Sequence, residues 1–450
     1  MSASTATPDA VVAPPKPEAD ETTAGNYFVS NYPPYSFWKP EFVSDFNEAI
    51  ERPPAEGQDL GLYVHIPFCR KRCHFCYFRV YTDKNAAAIN AYLDRAVDEL
   101  EIYAKKPFLG GRKPSFVYFG GGTPSYLSVS QLTSFTDRLK RILPWDEAEE
   151  IAFECEPGTL NDKKLKAIRD IGVTRLSLGI ENFDDRILEI NGRAHRSPEV
   201  SRAYEYAKEI GFQQINIDLI AGMIEETEDN WKRCVEKTIE MAPESVTIYE
   251  MEIPYNTTIY QRMQAEGKLV APVAGWETKR RWVDYAFKEL EKVGYTVGSA
   301  YTAVKSKEDV QFLYRDRLFA GSDLLSLGVA SFGSIGGTHY QNQHNFEPYI
   351  EALEKGELPV YRALTPTAEE ALIRELILLL KLGQVSRSYF QDKHGVDIVE
   401  SFAAQMKILQ DSGYLTIDGD TVKLNREGLL QVDQLMHEFF LPKHRNQRYA

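Results

Sequence analysis

The chain has 450 residues, 43% of them hydrophobic, and carries 52 Lys and Arg against 66 Asp and Glu, a formal net charge of −14. This length can bury a large core and divide into two or three domains, while the acidic balance excludes nucleic acid as a general partner, because phosphate binding rests on Lys and Arg. No stretch resembles a membrane span, the first residues lack the basic start and apolar run of a secretory signal, and an odd five cysteines do not make a disulfide framework, so a reducing, cytoplasmic setting is expected.

Residues 1–25 hold Pro8, Pro14, Pro15 and Pro17 among Ala, Thr, Asp and Glu, with no aromatic residue, and are expected to form a disordered tail. Residues 26–56, rich in Tyr, Phe, Trp and Pro, are expected to pack on the main domain as an irregular arm. Over 57–360, short β-prone runs at 62–66, 116–120, 151–155, 175–180, 215–220 and 246–251 alternate with helical periodicity at 86–104, 130–142, 198–210 and 230–241. Repeated strand–helix units imply parallel strands joined by right-handed crossovers. The expected fold is α/β, a partial (β/α)6 barrel of TIM-like type with an extension.

Functional residues of such barrels gather where strands end, and the unusual residues fall there. A cysteine loop follows the first strand, Gly120-Gly121-Gly122-Thr123-Pro124 the second, and Glu154-Cys155-Glu156-Pro157 the third; Glu181, Asp218 and Tyr249-Glu250 mark the fourth to sixth. From 361 the character changes. Thr367 with Glu370 has the spacing of a capping box, helices are expected to Leu380 and over 399–409, and 414–417 and 421–424 read as a hairpin turning at Asp418-Gly419-Asp420. This suggests a winged-helix-like C-terminal domain, 361–450, which its acidity suits to a structural or substrate-covering role.

Cys69, Cys73 and Cys76 have C-x3-C-x2-C spacing. Three thiolates this close can hold three corners of a 4Fe–4S cluster and leave the fourth iron open to a small molecule. A zinc site completed by His74 or His65 is the alternative, although zinc ligands more often come as two separated pairs. The basic run Arg70-Lys71-Arg72 reads either as a solvated loop or as a patch attracting an electron donor or acidic substrate. The triple glycine lets a backbone approach a ligand closely, and Glu154 is placed to accept bonds from hydroxyls. His339, Tyr340 and His344 are candidates for the mouth of the site, whereas Cys155 and Cys234 are expected to pack as small apolar groups.

With Phe75 as the aromatic residue, this cysteine motif resembles that of the radical S-adenosylmethionine (SAM) superfamily. The longer string from Tyr63 to Cys76 narrows the resemblance to the oxygen-independent coproporphyrinogen III dehydrogenase (oxidase) group. The resemblance implies that SAM chelates the open iron and that an electron donor such as flavodoxin or ferredoxin drives its cleavage to a 5′-deoxyadenosyl radical. It implies further that Tyr63, Phe75, Gly121 and Glu154 contact this SAM, and that Gly122, Thr123, Glu181, Arg193 and Asp218 surround a possible second SAM. Two positions depart from the group: Glu181 stands where glutamine is usual, which adds a charge and removes a donor, and Phe78 stands where a further cysteine is usual. Residues 312–319 also depart from the His-Asn-x-x-Tyr-Trp segment of the related haem chaperones. The implied reaction is oxidative decarboxylation of porphyrinogen propionates. A methyltransferase or cyclopropanase using the second SAM, and a haem chaperone, are the alternatives.

Overall fold

The structure, a computed structural model, describes residues 21–25, 28–268, 270–306, 310–445 and 447. Strands β1 (Leu60–Ile66), β2 (Phe116–Gly121), β3 (Glu150–Cys155), β4 (Arg175–Glu181), β5 (Gln214–Ala221) and β6 (Ser245–Glu250) stand side by side in chain order, each neighbouring pair parallel. Asn85, Ser128, Asn161 and Thr227 cap the crossover helices Ala86–Tyr103, Val129–Ile142, Asp162–Asp170 and Glu228–Met241. The lysine-rich helix Asp162–Asp170 has too thin an apolar stripe to be read from sequence. Its Lys164 is buried with Nζ on the carbonyl of Ser125 at 2.8 Å.

The sheet stays open and runs to twelve strands. Beyond β6, β7 (Thr296–Val297) and β8 (Thr302–Val304) add antiparallel. Beyond β1 come a parallel strand β9 (Asp323–Leu327) and antiparallel β10 (Phe332–Ile335), β11 (Thr338–Asn342) and β12 (Val360–Leu364). The expected partial (β/α)6 barrel is therefore the centre of a wider sheet.

Alternation sorts the two faces. Leu62, Val64, Ile66, Val117, Phe119, Phe153, Leu176, Leu178, Ile217 and Leu219 point out to the helices and make the main core. The inner face is polar. Arg175 meets Glu150 through Nε and Nη2 at 3.2 and 3.1 Å, and the same carboxylate accepts the N–H groups of Leu313 and Tyr314 at 3.1 Å each, seating helix Leu313–Phe319 inside the sheet.

Of the expected tail, residues 1–20 lie outside the described residues; Thr23 and Gly25 bridge to Val270 and Ile253. The arm is less irregular than expected, because Val43–Ile50 is an α-helix burying Phe46, Ala49 and Ile50. Helix Ala368–Leu380 opens with the Thr367–Glu370 capping box. The region expected as one helix over 399–409 is broken into Ile398–Ser401 and Ala403–Asp411 at Phe402, whose ring is buried. Strands β13 (Gln384–Ser386), β14 (Leu415–Asp418) and β15 (Thr421–Leu424) form a small sheet in the order β13-β15-β14. Buried Lys381 donates to the carbonyl of Val29 and to Asp433, each at 2.6 Å, and ties this domain to the arm. Among the described residues no helix is long and apolar enough to cross a membrane.

Glu99, fully buried on helix Ala86–Tyr103, locks the sheet extension to the barrel. It accepts from Tyr349 OH at 2.6 Å, Asn342 Nδ2 at 2.6 Å and the Gly328 N–H at 2.9 Å. Removing the acceptor strands the buried Tyr349 hydroxyl and Gly328 N–H, while Asn342 Nδ2 keeps Gly328 O and Ser331 Oγ. Glu99→Ala is expected to lower unfolding free energy by about 3 kcal/mol, read as a shifted urea midpoint with unchanged slope.

Candidate active site

The loop after β1 is closed at its base by the N–H of Cys69 on Tyr81 O at 3.1 Å and the N–H of Tyr81 on Pro67 O at 2.8 Å. Farther along, the N–H of His74 reaches Asn191 O at 3.0 Å, and Arg72 Nη2 spans the carbonyls of Cys76 and Asn256 at 3.1 and 3.0 Å. Phe75 packs on the apolar cluster of Ile187, Met223, Ile253 and Met263. The three cysteines are thus presented at the C-terminal mouth of the parallel strands by a braced loop.

Two of the sulfurs are met by donors: Thr123 Oγ1 lies 3.2 Å from Cys69 Sγ, and Arg193 Nη1 lies 3.3 Å from Cys73 Sγ. Donors aimed at sulfur suit thiolate or metal-bound sulfur. Burial pushes Cys69 up to about 11 and Cys76 up to about 12, because a low-dielectric surrounding disfavours the bare thiolate. Among the described residues no three His, Cys, Asp or Glu side chains close on one point as a single ion requires. His74 Nδ1 sits 2.8 Å from Ile190 O and His65 Nδ1 sits 3.0 Å from Tyr63 OH.

The glycine turn after β2 packs backbone to backbone against this loop. The N–H of Gly122 donates to Ile66 O at 2.8 Å and that of Thr123 to Phe68 O at 2.9 Å. At Gly122 a Cβ would stand 3.1 Å from Cys69 Sγ, and at Gly121, whose φ is +109°, it would stand 2.5 Å from the His65 ring. Beside the turn, Glu154 accepts from Tyr118 OH at 2.6 Å and from the Gly121 N–H at 3.1 Å, and Tyr118 stacks on Tyr63 at 6.0 Å. Burial holds His65 down to about 4, and its Nε2 is enclosed without a partner.

At the end of β4 the register slips between Gly179 and Glu181, and Glu181 adopts φ +66°, unusual for a residue with a side chain. Its carboxylate faces Arg193 at 3.5 Å, and Arg193 also donates to Gly179 O. Asp218 accepts from Ser177 Oγ at 2.9 Å and Asn216 Nδ2 at 2.8 Å. Burial first, and the neighbouring carboxylates second, raise Glu154 and Glu181 to about 7; burial raises Asp218 to about 6. The pocket thus carries more acid than its two arginines neutralise, and it suits a cationic ligand.

Of the residues singled out on strand ends, Glu154, Glu181 and Asp218 join the glycine turn and the cysteine loop in this pocket, whereas Cys155 packs in the helix-side core and Glu250 turns away to Lys279 and Arg280. Tyr340 belongs to the helix-side core with its OH on Ser326, not to the mouth. His339 stacks on Trp38 at 5.3 Å, and His344 meets Tyr361 edge-on at 4.8 Å. In the basic run, Arg70 is paired with Glu156 at 3.1 Å and Arg72 is spent on carbonyls, leaving Lys71 exposed. Cys155 and Cys234 are buried as expected. Sequence reading missed Tyr118, Ser177, Asn216 and Arg175, all inward positions that strict alternation along the strands would have flagged. It also missed His195, buried with Nδ1 3.2 Å from Glu156. Gly121→Ala is expected to cost about 1–3 kcal/mol of stability and to displace His65, visible as a lowered melting temperature and a changed imidazole resonance.

Two family profiles match, the Radical SAM superfamily over residues 63–238 and the HemN C-terminal domain over 367–431. Among curated relatives, the Bacillus subtilis protein named heme chaperone HemW is 29% identical over 84% of this chain and 98% of its own. Oxygen-independent coproporphyrinogen III oxidases of Escherichia coli and Pseudomonas aeruginosa are 25% and 27% identical, over 87% and 88% of this chain and 88% of each of theirs. The solved Escherichia coli coproporphyrinogen III oxidase HemN superposes with a TM-score of 0.78 at 23% identity, covering 93% of this chain and 99% of that one, and so shares its fold. The superfamily match implies a 4Fe–4S cluster and SAM. The chain thus matches the radical SAM superfamily over its parallel strands and the HemN C-terminal domain beyond them.

Proposed function

We propose that the protein is an oxidoreductase acting on the propionate side chains of a porphyrinogen, with Cys69, Cys73 and Cys76 holding the cluster. The observation that carries the reading is the joining of the cysteine loop to the acidic pocket: Thr123 meets Cys69 and Arg193 meets Cys73, while Arg193 also faces Glu181. When bound, the cluster and SAM supply a 5′-deoxyadenosyl radical. The chain's own groups do the placing. Gly121 and Gly122 leave room for the methionine end of SAM beside the loop, Glu154 accepts from its hydroxyls, and Tyr63 and Phe75 bound the space. Arg193, Asp218, Glu181 and Thr123 are proposed to border a second SAM. The reductant is proposed to be a small electron carrier such as flavodoxin or ferredoxin.

A second reading, a haem-binding chaperone, is favoured by the 29% identity to the protein named heme chaperone HemW and by Phe78, which is exposed where the oxidase group usually has a cysteine. Anaerobic incubation with SAM, reductant and coproporphyrinogen III separates the two. The oxidase reading expects deoxyadenosine together with decarboxylated porphyrinogen, whereas tight haem binding with unchanged porphyrinogen would replace it by the chaperone reading.

Cys73→Ala is expected to abolish both the brown absorbance of the reconstituted protein and SAM cleavage, because two thiolates cannot retain the cluster; a full spectrum in this variant would overturn the assignment. A pH dependence follows from Glu154. Its carboxyl sits near 7 in the folded protein, so it is ionised above that value and protonated below it. SAM affinity is expected to fall as pH drops from about 8 to about 6, as acceptance by the carboxylate is lost. Glu154→Gln should weaken binding at pH 8 by about 1–3 kcal/mol and flatten the slope, as measured by calorimetric titration.

A further inference from the structure

The inner face of the sheet continues past β1 onto its extension. Tyr63 lies beside Ser326, Leu324 beside Ser334, Phe332 beside Gln341, and Gln341 beside Arg362, so alternation brings Phe332, Gln341 and Arg362 onto the face that carries Tyr63. The arm roofs this half. Tyr35 packs on Phe332 at 4.5 Å and on Trp38 at 4.9 Å. Helix Ala368–Leu380 delivers Arg374 to the same place.

Two guanidinium groups flank Tyr35 here. Arg362 donates from Nε to Gln341 Oε1 at 2.6 Å and from Nη1 to Tyr35 O at 2.8 Å. Arg374 donates from Nε to Asn31 Oδ1 at 2.6 Å and from Nη2 to Leu318 O at 3.2 Å. All four acceptors are neutral, so they orient the cations without neutralising them. Three arginines of the barrel are treated differently: Arg112, Arg175 and Arg193 have carboxylates at 2.9, 3.1 and 3.5 Å. Glu375, next to Arg374 in sequence, is turned to Lys393 and His394. Uncompensated burial pulls Arg374 down to about 10 and lowers Arg362 as well. Arg362 Nη2 and Arg374 Nη1 remain without an acceptor among the described residues. Holding two desolvated cations without an anion is costly, and a ligand that brings the anion removes the cost.

We infer that Arg362 and Arg374 form a clamp for carboxylate groups of the substrate, with Tyr35 and Phe332 against its apolar body. The inference rests on the reading of the site as one for a porphyrinogen, and it names the residues that would hold the acidic side chains not undergoing reaction. Planar guanidinium groups suit this task because they meet a carboxylate through two parallel hydrogen bonds.

The test titrates the full chain with coproporphyrin III, a stable tetracarboxylic analogue, and with its tetramethyl ester. Wild type is expected to bind the acid more tightly than the ester. Arg362→Gln and Arg374→Gln should each weaken acid binding by about tenfold to a hundredfold and leave ester binding unchanged. Acid binding at wild-type strength in both variants would overturn the clamp while the porphyrinogen reading stands. If wild type binds neither porphyrin, that reading falls, and phenylglyoxal modification of wild type, mapped by mass spectrometry, decides the clamp alone. Glutarate that slows modification of Arg362 and Arg374 but not of exposed Arg52 sustains it; equal rates with and without glutarate overturn it. The second arm uses unmutated protein, so misfolding of a variant does not obscure the result.

Discussion

The site depends on a two-residue alternation along six parallel strands. Outward positions such as Val64, Phe119, Phe153, Leu178 and Ile217 are aliphatic or aromatic and fully buried, each contributing about 1.5–3 kcal/mol by leaving water. That sum offsets the burial of the polar inner face, where Arg175 is paired with Glu150, Glu150 also takes the N–H groups of Leu313 and Tyr314, and Ser177, Asn216 and Asp218 are bonded to one another. A slip of one residue in β3 would exchange Glu154 for Phe153 and destroy both faces together. Register in this sheet therefore fixes function as well as stability.

Charge is distributed unevenly over that inner face. Glu154, Glu181 and Asp218 crowd the end nearest the cysteine loop, and burial raises all three. The cations without acid partners, Arg362 and Arg374, lie on the extension and on the C-terminal domain. A ligand that is cationic at one end of the pocket and anionic at the other would be oriented by this field alone. The N-terminal arm and C-terminal domain, tied by Lys381 to Val29 and Asp433, carry Asn31, Tyr35 and Arg374 of the proposed anionic-ligand end. On that proposal the outer domain has a physical role that the partial barrel cannot supply.

The strands, most of the crossover helices, the capping box at Thr367 and the hairpin at Gly419 were legible because each is set by local pattern: β-prone runs, helical periodicity, capping and turn residues. Strand-end residues were legible as a group because βα loops of parallel sheets meet on one face. What stayed hidden depends on contacts far apart in sequence. The β9–β12 extension is joined to the rest by the pairing of β9 with β1 and by Glu99, on an early helix, which bonds Gly328 and Asn342 across more than two hundred positions. Tyr118 is unremarked in sequence and gains its role only when Glu154 arrives beside it, and Arg374 sits in an ordinary-looking helix until the arm brings Asn31 and Tyr35 over it. The left-handed backbone of Glu181 was likewise invisible, since sequence shows the exchange of glutamine for glutamate but not the slipped register beneath it.

The central claim is that the three-cysteine loop leaves one iron open to SAM beside Glu154 and Gly121. Electron paramagnetic resonance of the anaerobically reconstituted, dithionite-reduced protein, recorded with and without SAM, tests it most directly. Coordination at the open iron predicts a reduced 4Fe–4S signal whose g-values shift when SAM is added. A spectrum unchanged by saturating SAM, or the absence of any reduced-cluster signal after reconstitution, would contradict the account.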